Sequence, residues 1–220
     1  MDIHNIWPLR NPPARPADGP INVIGLDLSL SSTGFHKLNL SRTEGVSGYI
    51  PTDKLGGMER IDFILKEIAE LVHEGDFVVI ENNAFNAVGS ARSKLAELNG
   101  IVKFWLWHRG IQYTLVAPTT LKKFILGAGK GDKSLIIREV FKAYGLDAAV
   151  DDEADAAVLA HIGLCLIGRE EPKNKAQREV LVTLTAEKQK KSRKKNFREP
   201  ETEPTVIRGL RPFGLRQYSP

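Results

Sequence analysis

The chain has 220 residues, and 42% of them are hydrophobic, which is enough for one domain core with segments left over. No signal peptide is visible, and no apolar run approaches the roughly 18 residues that a membrane span requires. The single cysteine, Cys165, excludes an intramolecular disulfide and is typical of a small buried hydrophobe rather than a nucleophile. These features predict a cytoplasmic protein that neither spans a membrane nor depends on disulfides.

The formal net charge of +4 is distributed unevenly along the chain. Residues 169–220 hold 14 of the 31 lysines and arginines but only 7 of the 27 acids. The dense basic stretch at 188–195 predicts a flexible tail that contacts nucleic-acid phosphates, and a solvated charge run that only aids solubility is the alternative. Residues 1–20 carry five prolines, which predicts an arm without regular helix or central strand. We therefore divide the chain into 1–20, 21–168 and 169–220.

Hydrophobic periodicity predicts strands and helices between the two termini. Three short strands separated by turns indicate an antiparallel meander, and a series of helices and two further strands follows. The predicted strands are 22–28, 34–40, 46–50, 77–80 and 112–116, and the predicted helices are 58–72, 90–107, 119–125, 133–144 and 153–167. The pattern is that of an α/β domain.

Four acids stand where an acid is a poor structural choice. Asp27 and Glu81 lie at the ends of short β-branched runs that are typical of buried strands, and Asp152 and Asp155 open an otherwise apolar helix. A buried carboxylate must be paired, protonated or bound to a metal. Asp152 and Asp155, at positions i and i+3, face one side of their helix. We expect the four carboxylates to converge on one site.

Such a cluster of oxygen ligands is what a two-metal phosphoryl-transfer site needs. The expected ion is Mg²⁺, with two ions in each site and Mn²⁺ able to substitute. The alternative is a coincidental scatter of strand-end acids and of helix-start acids, which the helix macrodipole favours. The macrodipole explains Asp151 and Glu153 and could also explain Asp152. Asp155 lies about one turn deeper, beside apolar neighbours. The resulting hypothesis is a Mg²⁺-dependent nuclease.

Four segments together resemble those of the RuvC Holliday-junction resolvases, in a phage-type variant. They are LDLSLSSTG at 26–34, VIE at 79–81, GAGKGDKS at 127–134 and DEADAAVLA at 152–160. Each is weak alone, but their order and spacing are specific, with 54 residues from Asp27 to Glu81 and 71 from Glu81 to Asp152. The resemblance covers residues 21–168.

This resemblance implies an RNase H-like fold, with a mixed five-stranded sheet of three antiparallel and then two parallel strands, flanked by helices. It also implies a homodimer that binds branched DNA and cuts four-way junctions by paired nicks. The catalytic and metal-binding roles carry over to Asp27, Glu81, Asp152 and Asp155. The Pro-rich arm and the basic tail depart from the family's pattern.

The glycine-rich segment 127–134 resembles a phosphate loop, but it has one residue too few between its glycines and follows a helix rather than a strand. It suits a basic turn in which Lys130 and Lys133 hold a DNA phosphate at a helix N-terminus, and a loop capped by Asp132 is the alternative. Phe85 could wedge against an unpaired base or anchor its own loop. Further DNA-binding candidates are Arg92, Lys94, Lys122 and Lys123.

Two other function classes stay open. Residues 27–34 also resemble the first phosphate loop of actin-like phosphotransferases and ATPases, but the chain is too short for the two domains of that fold. A non-catalytic nucleic-acid-binding module of the same fold is opposed by the intact set of carboxylates. Trp105 and Trp107, on the predicted helix at 90–107, are assigned to the core and to an interface.

Overall fold

The computed structural model describes residues 20–40, 45–52, 54–82 and 90–196, apart from the side chains of residues 90–92 and 187–196. The chain divides into two units, Met1–Leu184 and Thr185–Pro220. All of the predicted Pro-rich arm except Pro20 lies outside the described residues, and so does the chain beyond residue 196.

Five strands form one mixed sheet. They are β1 Asn22–Asp27, β2 Ser32–Asn39, β3 Gly45–Pro51, β4 Phe77–Glu81 and β5 Gln112–Val116, in the order β3-β2-β1-β4-β5. β1, β2 and β3 pair antiparallel because short connections join them. β4 pairs parallel with β1, and β5 with β4, across helical connections. The predicted α/β class and the mixed sheet are confirmed.

Helices supply the connections and the C-terminal part of the described chain. They are α1 Gly57–Leu71, α2 Ser90–His108, α3 Pro118–Leu126, α4 Lys133–Tyr144, α5 Asp151–Leu166 and α6 Lys175–Asn196. The ends of α1 to α5 lie within two residues of their predicted positions. Gly127 and Gly145, at φ 78° and 72°, end α3 and α4 in the left-handed conformation that other residues avoid. None of the helices in the described part of the chain is long and apolar enough to cross a membrane.

Alternate residues of the central strands supply two cores, one on each face of the sheet. Ile24 and Leu26 point to the face that α1 and α2 cover. Val23 and Val79 point to the opposite face, where they pack with residues of α3, α4, α5 and α6. Each fully buried aliphatic side chain contributes about 1.5–3 kcal/mol relative to exposure, so the two cores hold the central strands from both sides.

The C-terminal boundary predicted at residue 168 differs from the structure. Helix α6 begins at Lys175, and its residues Val180 and Leu184 are buried in the core on the α5 side of the sheet. Their spacing of four residues puts them on one helix face. Because the segment is basic overall, its two core residues were overlooked, and the predicted flexible tail begins too early. The rest of the predicted division into domains stays a prediction.

Candidate active site

Two of the four candidate acids end adjacent parallel strands. Asp27 is the last residue of β1 and Glu81 the last of β4, and the pairing of Leu26 with Ile80 brings the two strand ends side by side. Side chains alternate between the faces of a sheet, so Asp27 and Glu81 both point to the face that carries α5. Both are buried, with 5% and 6% of their surface exposed.

Two glycines let helix α5 approach the sheet at backbone contact distance. A Cβ atom on Gly25, in β1, would lie 1.9 Å from the carbonyl oxygen of Ala156, and one on Gly34, in β2, would lie 1.9 Å from that of Asp152. Side-chain rotation could not relieve either clash, because both involve main-chain atoms. Glycine at these two positions therefore brings the start of α5 onto the sheet.

This close approach brings three carboxylates together. Ligand oxygens of Asp27, Glu81 and Asp155 all lie within 4.8 Å of one another. Asp155 Oδ1 is buried and makes no hydrogen bond within the described residues. A buried carboxylate oxygen without a partner is unfavourable. Three carboxylates this close together also offer the oxygen ligands that hard divalent cations prefer. The three carboxylates therefore fit a metal ion.

Asp152 lies beside this three-carboxylate group and is held by a hydroxyl. Ser32 Oγ, at the start of β2, donates a hydrogen bond to Asp152 Oδ2, and Asp27 lies close enough to lower the pKa of the same carboxyl. Within the described residues, Asp152 is not among the acids whose oxygens lie within 4.8 Å of one another. The structure thus brings the four predicted acids into one region, as three mutual neighbours and one adjacent residue.

The other two acids at the start of α5 have structural partners. Asp151 forms an ion pair with Lys133, the first residue of α4. Glu153 is buried and accepts hydrogen bonds from Ser47 Oγ in β3 and from the main-chain N–H of Ala149, each at 2.8 Å. These contacts agree with the interpretation of both acids as structural helix-start residues. These contacts connect the start of α5 to α4 and to the edge strand β3.

Burial and mutual repulsion favour the protonated forms of the clustered acids. Burial, and after it the charge of Asp155, raises the pKa of Glu81 to about 8. Burial, followed by the charges of Asp151 and Asp152, raises the pKa of Asp155 to about 7. Burial also raises the pKa of Asp152, against the opposing effect of the Ser32 hydrogen bond. A divalent cation would replace these protons and favour the charged forms.

Two of the predicted DNA-binding lysines lie near the carboxylates. The positive charges of Lys122, in α3, and Lys133 oppose the larger effect of burial on the pKa of Glu81. Lys122 Nζ donates a hydrogen bond of 3.1 Å to the carbonyl oxygen of Gly131, which holds it beside the glycine-rich turn. The negative charge of the site is therefore partly compensated by α3 and α4.

The remaining DNA-binding candidates are more dispersed. Lys123 forms an ion pair of 2.7 Å with Glu179 in α6, whereas Lys94 and Lys130 are exposed. Phe85 and the side chain of Arg92 lie outside the described residues. The alternative for the glycine-rich turn was a cap formed by Asp132. The Asp132 side chain makes no capping hydrogen bond at the start of α4.

The two tryptophans of α2 occupy different environments. Trp105 is buried in the core, whereas Trp107 is 67% exposed. The Trp107 ring lies 5.9 Å, centroid to centroid, from that of Phe104, which is also exposed. The prediction of a core position is confirmed for Trp105, and Trp107 belongs to an exposed aromatic patch. Cys165 has a free thiol whose pKa is raised by burial to about 12, which suits a packing role.

Three residues that shape the site were missed in the sequence. Gly25 and Gly34 stand inside strands, where glycine is destabilising unless another backbone approaches closely, and that was a signal for both. Ser32 lies in a run of hydroxyl residues, and nothing local distinguishes it from its neighbours. Its contact with Asp152 joins residues 120 positions apart, so only the folded chain reveals it.

Comparison with known proteins identifies a family that this chain matches. The model of the family described as crossover junction endodeoxyribonuclease RuvC matches residues 23–163. Similar relatives with that description occur in Azorhizobium caulinodans, 27% identical over 54% of this chain and 74% of the relative, and in Gloeobacter violaceus, 29% identical over 65% and 87%. A solved structure described as T. thermophilus RuvC in complex with Holliday junction substrate has the same fold, with a TM-score of 0.56 and 20% identity over 69% of this chain and 99% of that one.

Proposed function

The chain belongs to the family of crossover junction endodeoxyribonuclease RuvC, and from this we propose that it resolves four-way DNA junctions by paired, Mg²⁺-dependent nicks. Its relatives carry the name of such an endonuclease, and a solved neighbour is described as bound to a Holliday junction. Related branched DNAs are further candidate substrates. A DNA substrate of this kind agrees with action in the cytoplasm.

The observation that carries the proposal is the group of three carboxylates whose oxygens lie within 4.8 Å of one another. Asp27, Glu81 and Asp155 would hold the catalytic ions, and Asp152 would complete the set for a second ion. When bound, a pair of divalent ions activates a water molecule and stabilises the leaving oxygen of a phosphodiester. Carboxylate oxygens favour Mg²⁺ over softer ions, and Mn²⁺ accepts the same ligands.

The DNA backbone needs positive charge near a site made of acids. We assign this role first to Lys122 and Lys133, whose charges already act on Glu81. Exposed Lys130 lies in the glycine-rich turn between the helices that carry them. Each is suited to hold a phosphate beside the carboxylates, since cationic side chains and helix N-termini position nucleic-acid backbones. Phe85, Arg92, Lys94 and Lys123 stay predictions.

A homodimer suits paired nicking, because a two-fold axis places two identical sites on opposing strands. Exposed Phe104 and Trp107 on α2 offer an aromatic surface for the second copy. The dimer would sediment at about twice the chain mass of 24.4 kDa, and a protein that stays monomeric both free and on a junction would contradict paired cleavage.

The central test replaces the acids one at a time. Asp27→Asn, Glu81→Gln and Asp155→Asn should each lower the cleavage rate of a four-way junction by about a thousandfold or more, since a lost ligand removes several kcal/mol of metal stabilisation from the transition state. Junction binding should persist or strengthen, because negative charge near the DNA is removed. Rates at saturating Mg²⁺ and gel-shift affinities would be measured for all three variants.

Glu59→Gln is the matched control, since Glu59 is an exposed acid of α1, on the opposite face of the sheet from the site. Its cleavage rate should equal that of the wild type. Near wild-type cleavage by any of the three site variants would remove that residue from the proposed set. Junction binding without metal-dependent cleavage by the wild type would favour the non-catalytic module instead.

A further inference from the structure

We propose that Ser32 is a positioning residue that fixes the carboxylate of Asp152 and thereby sets the affinity of the site for its second metal ion. The inference rests on the proposed metal-dependent cleavage. Ser32 Oγ donates a hydrogen bond to Asp152 Oδ2, and this contact joins the first residue of β2 to the first turn of α5. Outer hydrogen bonds of this kind orient metal-binding carboxylates.

Asp152 needs such a partner more than the other acids do. Asp27 and Glu81 are buried strand ends, whereas Asp152 is only partly buried and stands in the first turn of a helix. Lys133 lies near enough for its charge to act on Asp152, and it already binds the neighbouring Asp151. Without the Ser32 hydroxyl, Asp27 would be the remaining neighbour of the Asp152 carboxylate on the side of the three-carboxylate group, and the attraction of this lysine would turn the carboxylate away from that group.

The donor is itself held by the preceding turn, where the main-chain N–H of Ser32 donates a 3.5 Å hydrogen bond to Ser29 Oγ. Thr33 Oγ1 donates a 2.7 Å hydrogen bond to the carbonyl oxygen of Ser29 and accepts one from its N–H. Two residues after Ser32, Gly34 lies on the same side of β2, against the main chain of Asp152. β2 therefore contacts both the backbone and the side chain of Asp152. A rigid donor of this kind restricts the carboxylate to one orientation.

A second serine provides a matched control. Ser47 in β3 donates a 2.8 Å hydrogen bond to Glu153, the residue next to Asp152, and Glu153 lies outside the group of clustered acids that the described residues form. Ser47→Ala therefore removes an equivalent hydroxyl-to-carboxylate bond from the same helix turn. It tests whether a loss arises from the placement of α5 or from the orientation of Asp152.

The experiment compares full-length wild type, Ser32→Ala, Ser32→Thr and Ser47→Ala. Calorimetric titration with Mn²⁺ in the absence of DNA should show the weaker of two binding events reduced by about 10- to 100-fold in Ser32→Ala, the usual effect of removing an outer partner. The Mg²⁺ concentration for half-maximal junction cleavage should rise by the same factor, with the maximal rate largely recovered at high Mg²⁺. Ser32→Thr, which keeps the hydroxyl, and Ser47→Ala should behave as the wild type in both measurements.

Unchanged Mn²⁺ affinity and Mg²⁺ dependence in Ser32→Ala would overturn the inference. So would an equal loss in Ser47→Ala, which would show a general effect of helix placement, or a Ser32→Thr variant as weak as Ser32→Ala. If the wild type binds Mn²⁺ and Asp155→Asn does not, while Ser32→Ala is normal, only the role of Ser32 fails. If the wild type neither binds Mn²⁺ nor cuts DNA, the proposed function is wrong, and this inference, which rests on it, is wrong as well.

Discussion

The two faces of the sheet are built by alternate residues of the same strands, yet the strands supply a core to one face and both a core and a candidate active site to the other. On the side of α1 and α2, Ile24 and Leu26 are aliphatic and fully buried. On the side of α5, β1 presents Val23, Gly25 and Asp27 in turn: an apolar residue, a gap for a helix backbone and an acid.

This difference shows that the two faces depend on different physical effects. Aliphatic packing on the α1 side tolerates exchange between residues of similar volume, usually for less than about 1.5 kcal/mol. The α5 side depends on a main-chain contact at Gly25 and Gly34, and its carboxylates are stabilised only when protons or cations compensate them. Substitutions of equal size should therefore have unequal effects on the two faces.

The largest expected effect comes from adding one methyl group beneath α5. Gly34→Ala would place a Cβ atom 1.9 Å from the carbonyl oxygen of Asp152, so the helix must move away from the sheet. We expect a loss of at least about 1–3 kcal/mol in the free energy of unfolding, the usual range for overpacking. Cleavage should fall by about a hundredfold or more, because a displacement of about 1 Å in a site has that effect. Chemical denaturation and junction cleavage would measure the two losses.

Gly100→Ala is the control on the other side of the sheet. Gly100 lies within α2, and a Cβ atom there would meet nothing within 4 Å among the described residues beyond its own stretch of helix. Alanine is favoured over glycine inside a helix by about 0.5–1 kcal/mol, so this variant should be as stable as the wild type or more so. Comparable damage from both substitutions would contradict the contrast between the two faces.

The next effect is a pH dependence that belongs only to the acid-bearing face. The folded-state pKa values of Glu81 and Asp155, about 8 and about 7, exceed the ordinary values of 4.5 and 3.8. The folded protein therefore binds more protons than the unfolded chain between those limits, and stability must fall as the pH rises. For metal-free protein we expect a melting temperature at least about 5 °C lower at pH 8 than at pH 5, since the two shifts amount to several kcal/mol and each kcal/mol shifts it by about 2–4 °C at this size.

Two comparisons isolate the contribution of the carboxylates. Glu81→Gln removes one titrating group, so its melting temperature should decline less over the same pH range. Added Mg²⁺ should flatten the wild-type curve as well, because a bound cation replaces the protons. A melting temperature of metal-free wild type that rises between pH 5 and pH 8, or a Glu81→Gln curve parallel to it, would refute the assignment.

The smallest effect concerns the basic C-terminal segment, which we propose contacts DNA without reading its shape. Truncation after Ala186 keeps the buried residues Val180 and Leu184, whereas truncation at 168 would remove part of the core. The shorter chain should bind junction and linear duplex more weakly by a similar factor. The slope of log K against log salt should flatten, because each phosphate contact contributes about 0.9 to it. Titrations across a salt series would measure both quantities.

The ratio of junction to duplex affinity shows which of the two units of the chain recognises the shape of the DNA. If the ratio is preserved after truncation, the folded domain recognises DNA shape and the basic segment adds only general affinity. A selective loss of junction binding would mean that the segment itself recognises the branched structure. An unchanged slope of log K against log salt would mean that the segment makes no phosphate contacts and is a solvated charge run.

Much of the fold could be predicted because it follows from local patterns. Periodicity located the five strands of the described sheet and helices α1 to α5 to within two residues, since burial of one face repeats along each element. Asp27, Glu81 and Asp155 were found because an acid is out of place among apolar neighbours, and the structure brings their oxygens together. Helix α6 was not predicted as part of the folded core, because its buried Val180 and Leu184 lie among many charges.

The sequence by itself determined where the strands and helices α1 to α5 lie and which acids would need a partner, because these depend on the polarity and spacing of near neighbours. Only the tertiary structure decided that α5 touches the sheet through Gly25 and Gly34, and that Asp152 is held by Ser32 while three other acids form the tighter group. Such contacts join residues far apart in the chain. They depend on how closely two backbones approach, which no local pattern encodes.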